Sequence, residues 1–205
     1  MREPSSERSR VRRSPDRGHY DDDTVNAILD ASLLCHVGFV DGGHPHVIPT
    51  LQVRLGDRLF LHGATGSRMI KVLSDGAPAC VTVTMLDGLV LARSAFHQSV
   101  NYRSVVVFGT AELVTDERAK TDVLHALTEK FQSGRWDDIR HPTPGELART
   151  AVVALPLDEA SAKVRTGGPK DDEDDYALPI WAGVVPLELT RLEPVSDENG
   201  VADPS

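Results

Sequence analysis

The sequence predicts a mainly β protein with α insertions, folded as a closed or partly closed antiparallel barrel. Apolar runs of strand length recur along the chain, and tight-turn sequences such as Asp41-Gly42-Gly43 separate several of them. A short helix follows the third of these runs, and no internal repeat is visible. These features give roughly seven or eight strands, mostly in hairpins. A length of 205 residues fits one domain with extensions.

The first part of the chain is predicted as a helix followed by a three-stranded meander. Thr24 is placed as the N-cap of the helix, with acidic residues at its start. Pro49 falls inside the second strand and predicts a bulge or an edge, because proline has no N–H for the ladder. The predicted strands are residues 33–40, 46–55 and 58–62, with turns at 41–43 and 56–57.

The second part alternates further strands with one long helix. Asp87-Gly88 predicts a type I′ turn between two paired strands. The pair Thr115-Asp116 is expected to cap the longest helix, which has one apolar face. Residues 132–149 are predicted as loop-rich, and residues 170–175 as an exposed acidic loop. Further strands are predicted at residues 79–85, 89–95, 104–108 and 150–157, an extended continuation at residues 161–165, and a final apolar segment at residues 178–187.

Composition and charge restrict the possible functions. The net charge of −9 argues against a general nucleic-acid binder, because phosphate contacts need clustered Lys and Arg. No apolar run approaches the ~20 residues of a membrane helix, and no secretory signal is visible, so a cytoplasmic protein is expected. Cys35 and Cys80 lack metal-ligand spacing and are interpreted as buried thiols.

Both ends of the chain differ in composition from the middle. Residues 1–20 are rich in Arg, Ser and Pro and predict a disordered arm. The arm could touch RNA or a membrane surface, although a merely solubilising role is favoured. The predicted globular domain is residues 21–193, and residues 194–205 are predicted as a flexible tail.

A possible anion cradle lies in residues 62–73. A strand ends in a glycine-containing loop, and Ser67 then caps a short helix that carries Arg68 and Lys71 one turn apart. Free amides and positive charge at a helix start suit a phosphate. Taken alone, the same pattern is also common as plain turn chemistry.

A second candidate segment is residues 94–113. Hydrogen-bonding side chains from His97 to Arg103 come directly ahead of the apolar strand 104–108. They indicate either a ligand-contacting segment or a polar connection between strands. A metal site at His44, His46 and His36 is disfavoured, because no carboxylate or cysteine completes the set, and no metal site is predicted.

Four segments together resemble the pyridoxamine 5′-phosphate oxidase-like family of FMN-binding split barrels, in the branch related to 5-nitroimidazole resistance proteins. They are HGATGSR (62–68), SAFHQSVNYRSVVVFG (94–109), SAKVRTGGPKDDEDD (161–175) and WAGVVPL (181–187). The likeness extends over about residues 22 to 190, in order, which is more specific than any one motif.

The resemblance implies a homodimer that binds FMN at its interface. Ser67 and Arg68 would hold the FMN phosphate, and Lys71 would supply the second charge, because Met69 stands where relatives often have lysine. Trp181 and Lys163 would lie near the site, contributed by the second subunit. The cofactor-binding residues implied are Pro49, Thr50, Leu51, His62, Gly63, Ser67, Arg68, Lys71, Ser104, Lys163 and Trp181.

The resemblance also implies a function, an FMN-dependent oxidoreductase that acts on a small organic molecule with a reduced nicotinamide as donor. His62 and His97 are the candidate proton donors. Pyridoxamine phosphate oxidation itself is less favoured, because no second Arg and Lys cluster stands near the C-terminus. The alternative is a non-catalytic module that stores flavin or senses it. Haem or a deazaflavin in place of FMN stays open.

Overall fold

A computed structural model describes residues 3–197 of the chain. It contains two compact units: residues up to 86 together with 101–166 form the first unit, and residues 87–100 together with 167 onward form the second. None of the helices in the described residues is long and apolar enough to cross a membrane.

Strands form most of the regular structure. In the described residues the ten strands are β1 (Gly18–His19), β2 (Leu34–Asp41), β3 (His44–Leu55), β4 (Arg58–Ala64), β5 (Pro78–Leu91), β6 (Ser99–Thr110), β7 (Glu112–Leu113), β8 (Thr150–Pro156), β9 (Ala160–Arg165) and β10 (Gly183–Pro186). The helices are α1 (Asp22–Ala31), α2 (Arg68–Ser74), α3 (Glu117–Phe131), α4 (Arg135–Asp138) and α5 (Pro144–Arg149). The predicted class, mainly β with α insertions, is confirmed.

The strands pair in the order β1-β9-β6-β5-β2-β3-β4-β8-β7, and β10 pairs with β5. The core of the first unit is formed by the inward side chains of β2, β4, β5, β6 and β8, covered by α1 and α2. Leu29, Leu59, Leu61 and Leu73 are at most 1% exposed, so both helices are held by apolar packing.

Two of the predicted turns are confirmed. Gly42 and Gly43 have φ of 57° and 80°, and Asp41 pairs with His44 across this two-residue loop. Positive φ at both central residues matches the twist of an antiparallel hairpin, which explains the two glycines. Gly56 has φ of 61° in the turn that joins Leu55 to Arg58.

The predicted turn at Asp87-Gly88 is wrong, because β5 continues through both residues to Leu91. Glycine is required at position 88 for a different reason. A Cβ on Gly88 would lie 3.1 Å from both Val184 Cγ1 and Val185 O, because β10 pairs with this part of β5. The sequence signal for a turn therefore marks a close approach between two strands.

Three smaller expectations also change. The N-cap of α1 is Asp21, whose carboxylate accepts the Thr24 N–H at 2.8 Å. Strand β6 begins at Ser99, so the polar residues 99–103 lie within the strand and not ahead of it. Of the bulge or edge predicted at Pro49, the bulge is absent, because Pro49 pairs with His36 in an unbroken ladder, and the edge is present, because the β3–β4 pairing stops at Gln52.

The N-terminal segment makes specific contacts in the first unit. Arg8 pairs with Glu159 and lies over the Phe108 ring at 5.5 Å, and β1 pairs with β9. Lys163 Nζ donates to Arg13 O at 2.8 Å. The predicted division into an arm, a domain and a tail stays a prediction. Residues 1–2 of that arm and residues 198–205 of that tail lie outside the described part of the chain.

Candidate functional site

The centre of the candidate site is the point where β3 and β4 part. The two strands pair from Leu55–Arg58 to Gln52–Leu61. Beyond that pair, β3 continues against β2 and β4 continues against β8. Leu51 and His62 are the first residues past the paired region, one on each strand. Past this point the facing edges of β3 and β4 are not paired with each other, and this stretch is called the opening below.

The structure brings five predicted residues to this opening. Pro49, Thr50 and Leu51 follow one another on β3, and His62 and Gly63 lie on β4. Gln52 N–H donates to Leu33 O on the β2 side, and the alternation of a strand then turns the nitrogen of Pro49 away from β2. On that other side β3 has no paired partner at position 49, which explains how a proline fits there.

Buried polar contacts fix the strand next to the opening. Gln52 is fully buried, and its Nε2 donates to Leu29 O at 2.7 Å and to Ser32 O at 2.5 Å. Lys130 Nζ donates to the same Leu29 carbonyl at 2.8 Å. These bonds join β3 to the end of α1 and to α3. Burial lowers the pKa of Lys130 to about 8.

Helix α2 packs closely on the end of β4. A Cβ on Gly63 would lie 3.0 Å from Ile70 Cγ1 and 3.6 Å from Ser67 Oγ. Glycine at this position therefore lets the helix start approach the strand. Ser67 caps the helix, and its Oγ accepts the Ile70 N–H at 3.3 Å.

Two positive side chains extend from α2. Arg68 is exposed, and its Nε lies 3.6 Å from the Asp41 carboxylate. Lys71 is exposed one turn later. Met69 is 6% exposed and belongs to the core, so the side chain at position 69 points away from these two. A lysine at position 69 would be buried, and Lys71 is the available second charge.

His62 is half-buried on β4, where it pairs with Val152. Burial lowers the pKa of His62 below its ordinary value, so the imidazole is neutral at neutral pH. A neutral imidazole can both accept and donate a proton through its two ring nitrogens.

Ser104 and Lys163 lie on other strands. They pair with each other between β6 and β9, and Ser104 Oγ donates to Lys163 O at 3.2 Å. The Lys163 ammonium donates to the Arg13 carbonyl in the N-terminal segment. The strand order puts β5 and β2 between β6 and β3, so this pair is not adjacent in the sheet to the opening.

The remaining two predicted site residues, His97 and Trp181, belong to the second unit. His97 ends a 3₁₀ turn, Ala95–His97, and its Nε2 lies 3.2 Å from the Asp172 carboxylate. That nitrogen is buried and has no hydrogen-bond partner of good geometry among the described residues. Trp181 is 66% exposed and precedes β10.

A polar clamp in the second unit was not anticipated from the sequence. Asp171 accepts from Arg93 N and from Arg93 Nη1, each at 2.9 Å, and Arg93 stacks on Tyr176 at 5.1 Å. The predicted exposure of residues 170–175 is wrong for Asp171, whose side chain is 0% exposed. Its neighbours in an acidic run gave no signal that one carboxylate would be buried.

The described residues contain no group of three or more His, Cys, Asp and Glu side chains placed to hold a metal ion. His36 and His46 lie on adjacent strands, but His46 stacks on Phe39, with ring centroids 5.4 Å apart.

Comparisons with known proteins identify the family and the fold. Residues 21–164 match the family model described as pyridoxamine 5′-phosphate oxidase. The flavocytochrome Anf3 of Azotobacter vinelandii is 44% identical, with a TM-score of 0.93 over 98% of this chain and 94% of that chain. An FAD and heme binding protein of Mycobacterium smegmatis is 40% identical, with a TM-score of 0.87 over 91% of both chains.

A putative 5-nitroimidazole antibiotic resistance protein of Bacteroides thetaiotaomicron has the same fold, with a TM-score of 0.60 at 22% identity over 72% of this chain and 86% of that chain. No curated protein matches the sequence significantly. The fold is thus the predicted split barrel, and the chain belongs to the pyridoxamine 5′-phosphate oxidase family.

Proposed function

We propose that the protein is a flavin-binding redox protein whose flavin ring lies in the opening between β3 and β4. The observation that carries the proposal is the arrangement of that opening. Pro49, Thr50 and Leu51 border it on one strand, His62 and Gly63 on the other, and the capped start of α2 follows directly after β4. The relatives at 44% and 40% identity are a flavocytochrome and an FAD and heme binding protein, and their names support a flavin as the cofactor.

The donor set fits a flavin phosphate. Arg68 and Lys71 supply positive charge, and the Ser67 hydroxyl stands at the start of α2. A Cβ on Gly66 would meet nothing within 4 Å, so the loop before the helix is open. One group opposes the fit, since the Asp41 carboxylate is 3.6 Å from Arg68 and has to release it to a phosphate.

The chain's own residues have separate tasks in this mechanism. Arg68 and Lys71 would offset the phosphate charge, and the backbones of β3 and β4 would border the ring. His62, kept neutral by burial, can hold or pass a proton at an imidazole nitrogen. When bound, a flavin supplies electron transfer between a donor and an acceptor. The donor proposed is a reduced nicotinamide and the acceptor a small organic molecule.

A haem in addition to the flavin is a second candidate, favoured by the names of the two relatives. The second unit offers exposed aromatic and apolar side chains, of which Phe96 is 88% exposed and Trp181 66%. Such side chains suit the face of a porphyrin or a protein surface. The flavin proposal does not depend on this one.

Association of two copies is also proposed. Leu189, Leu192 and Val195 are 103%, 87% and 96% exposed in a segment without regular structure. A run of exposed apolar side chains is typical of an interface. A second copy is the occupant that family resemblance favours, and Trp181 belongs to the same C-terminal segment.

The first test is the absorption spectrum and the extracted cofactors of the full-length protein. Flavin bands are expected, and a Soret band in addition would establish the haem. The anaerobically photoreduced protein should then reoxidise with an acceptor faster than free flavin does. Reoxidation at the rate of free flavin would favour a storage or sensing module instead.

The second test concerns the cradle. Arg68→Ala should weaken flavin binding by about 1–2 kcal/mol, because the variant loses a charge-assisted phosphate contact at an exposed position. Calorimetric titration of the flavin-free protein measures this effect. The exposed Arg135→Ala removes the same charge elsewhere and serves as the control. Equal affinities for both variants would show that the phosphate lies away from α2.

A further inference from the structure

A groove runs along the flank of α2 within the first unit. It has a volume of about 460 Å³, which is within the roughly 300–1,000 Å³ typical of small-molecule sites. One side is formed by Ile70, Lys71 and Ser74 of α2, and the facing side by Leu113 of β7 and Lys120 of α3. Thr65 lies at the end beside the start of α2.

The groove is continuous with the proposed phosphate cradle. Lys71 belongs to both, and Thr65 precedes the capping Ser67 by two residues. A ligand with its first phosphate at the cradle can therefore extend a second part along α2. A mononucleotide flavin ends at the cradle, whereas a dinucleotide flavin continues with a second phosphate and an adenosine.

The charges in the groove favour an anionic group. Lys71 makes no ion pair within residues 3–197, and Lys120 Nζ donates to Leu147 O at 2.7 Å, which leaves two further N–H groups and holds the ammonium in place. Asp75 is the opposing charge in the lining. Together these side chains carry one net positive charge.

The lining also offers uncommitted hydrogen-bonding capacity beside apolar surface. Thr65 and Thr115 are exposed in the lining and present hydroxyls to the groove, while Ser74 Oγ beneath it is buried without a partner among the described residues. Leu113, which is 46% exposed, and the half-buried Val114 provide apolar contact of the kind a nucleobase needs. The groove thus combines cations, hydroxyls and an apolar wall.

From this combination we infer that the groove binds the adenylate half of a dinucleotide flavin, with Lys120 facing the second phosphate. The groove would then make the protein select FAD over FMN. This inference rests on the proposed flavin site and adds the part of the ligand that the opening between β3 and β4 does not contact.

The test compares FAD and FMN on the full-length protein freed of cofactor, by calorimetric titration of each. The unaltered protein should bind FAD more tightly than FMN. Lys120→Ala should weaken FAD binding about tenfold and leave FMN binding within about twofold, since a charge-assisted contact is lost for FAD alone. Leu113→Trp, at a 46% exposed position, should fill the groove and have the same selective effect.

Arg118→Ala is the matched control, because Arg118 is exposed on the same helix and is not part of the lining. Thermal unfolding of each variant without ligand reports any loss of fold from the Lys120 to Leu147 contact. Equal losses for FAD and FMN, or no loss in either groove variant, would overturn the inference and leave the flavin site standing. Failure of the unaltered protein to bind either flavin would overturn both.

Discussion

The two units of the chain differ in how many of their large apolar side chains are buried. In the first unit Leu59, Leu61 and Leu155 are at most 1% exposed and pack in one core. In the second unit the large apolar side chains of residues 176–195 are mostly exposed, and Leu189 and Val195 are almost fully so. The first unit has an apolar core, whereas the second exposes most of the large apolar side chains of its C-terminal segment.

The second unit is held together mainly by polar contacts and by one strand pairing. The Arg93 guanidinium binds Asp171 and stacks on Tyr176, while β10 pairs with the end of β5. Such contacts fix a loop without burying its apolar residues. The difference predicts that substitutions in the first unit change stability more than substitutions in the second.

The largest expected effect tests the core of the first unit. Leu61→Ala should lower the free energy of unfolding by about 2–5 kcal/mol, because a fully buried leucine leaves a cavity. Denaturant titration measures the change. The control is Val40→Ala, at a 58% exposed position of the same unit, which should change stability by less than about 0.5 kcal/mol. Similar losses for both would contradict the contrast in burial.

The next effect tests the exposed apolar residues of the second unit. Leu189→Asp combined with Leu192→Asp should weaken self-association about 100-fold, since two apolar contacts are replaced by desolvated charges. Light scattering over a range of concentrations measures the shift from dimer to monomer. Glu188→Gln with Glu193→Gln changes neighbouring polar residues and should leave assembly unaltered. A monomeric unaltered protein would refute the proposed dimer.

Local sequence signals predicted two of the three tight turns and did not predict long-range contacts. The two glycines at 42 and 43 mark a real turn, because the strained φ is a property of the turn itself. Gly88 also follows an aspartate, but glycine is needed there because residues about a hundred positions later approach it closely. A single sequence does not reveal which strand will approach which glycine.

The candidate site shows the same limit. The capped α2 and its Arg68 and Lys71 follow from local pattern, and the structure places them as expected beside β4. The opening at Leu51 and His62 depends on where β3 changes partners, which local pattern does not show. Lys120 comes to the groove from a helix distant in sequence, and Asp171 stands in an acidic run where nothing distinguishes it.

The smallest expected effect is the pH dependence of the Arg93–Asp171 clamp in the second unit. Burial acts to raise the pKa of Asp171, but the hydrogen bonds from Arg93 prevail, and the pKa lies below its ordinary value. The clamp is therefore fully formed above the ordinary carboxyl pKa and weakens as the pH falls through the lower folded-state value. The Arg93 guanidinium resonances in an NMR acid titration should report this transition.

Two variants decide whether that transition belongs to Asp171. Asp171→Asn should abolish it, because an amide does not titrate, whereas Asp174→Asn, at an exposed position in the same loop, should retain it. A transition that persists in Asp171→Asn would assign it to another carboxylate. The global free energy of unfolding should change far less than in Leu61→Ala, since loosening a surface clamp opens a loop but no cavity in the core. A comparable global loss would mean that the second unit contributes to stability as the first does, and the contrast between them would fail.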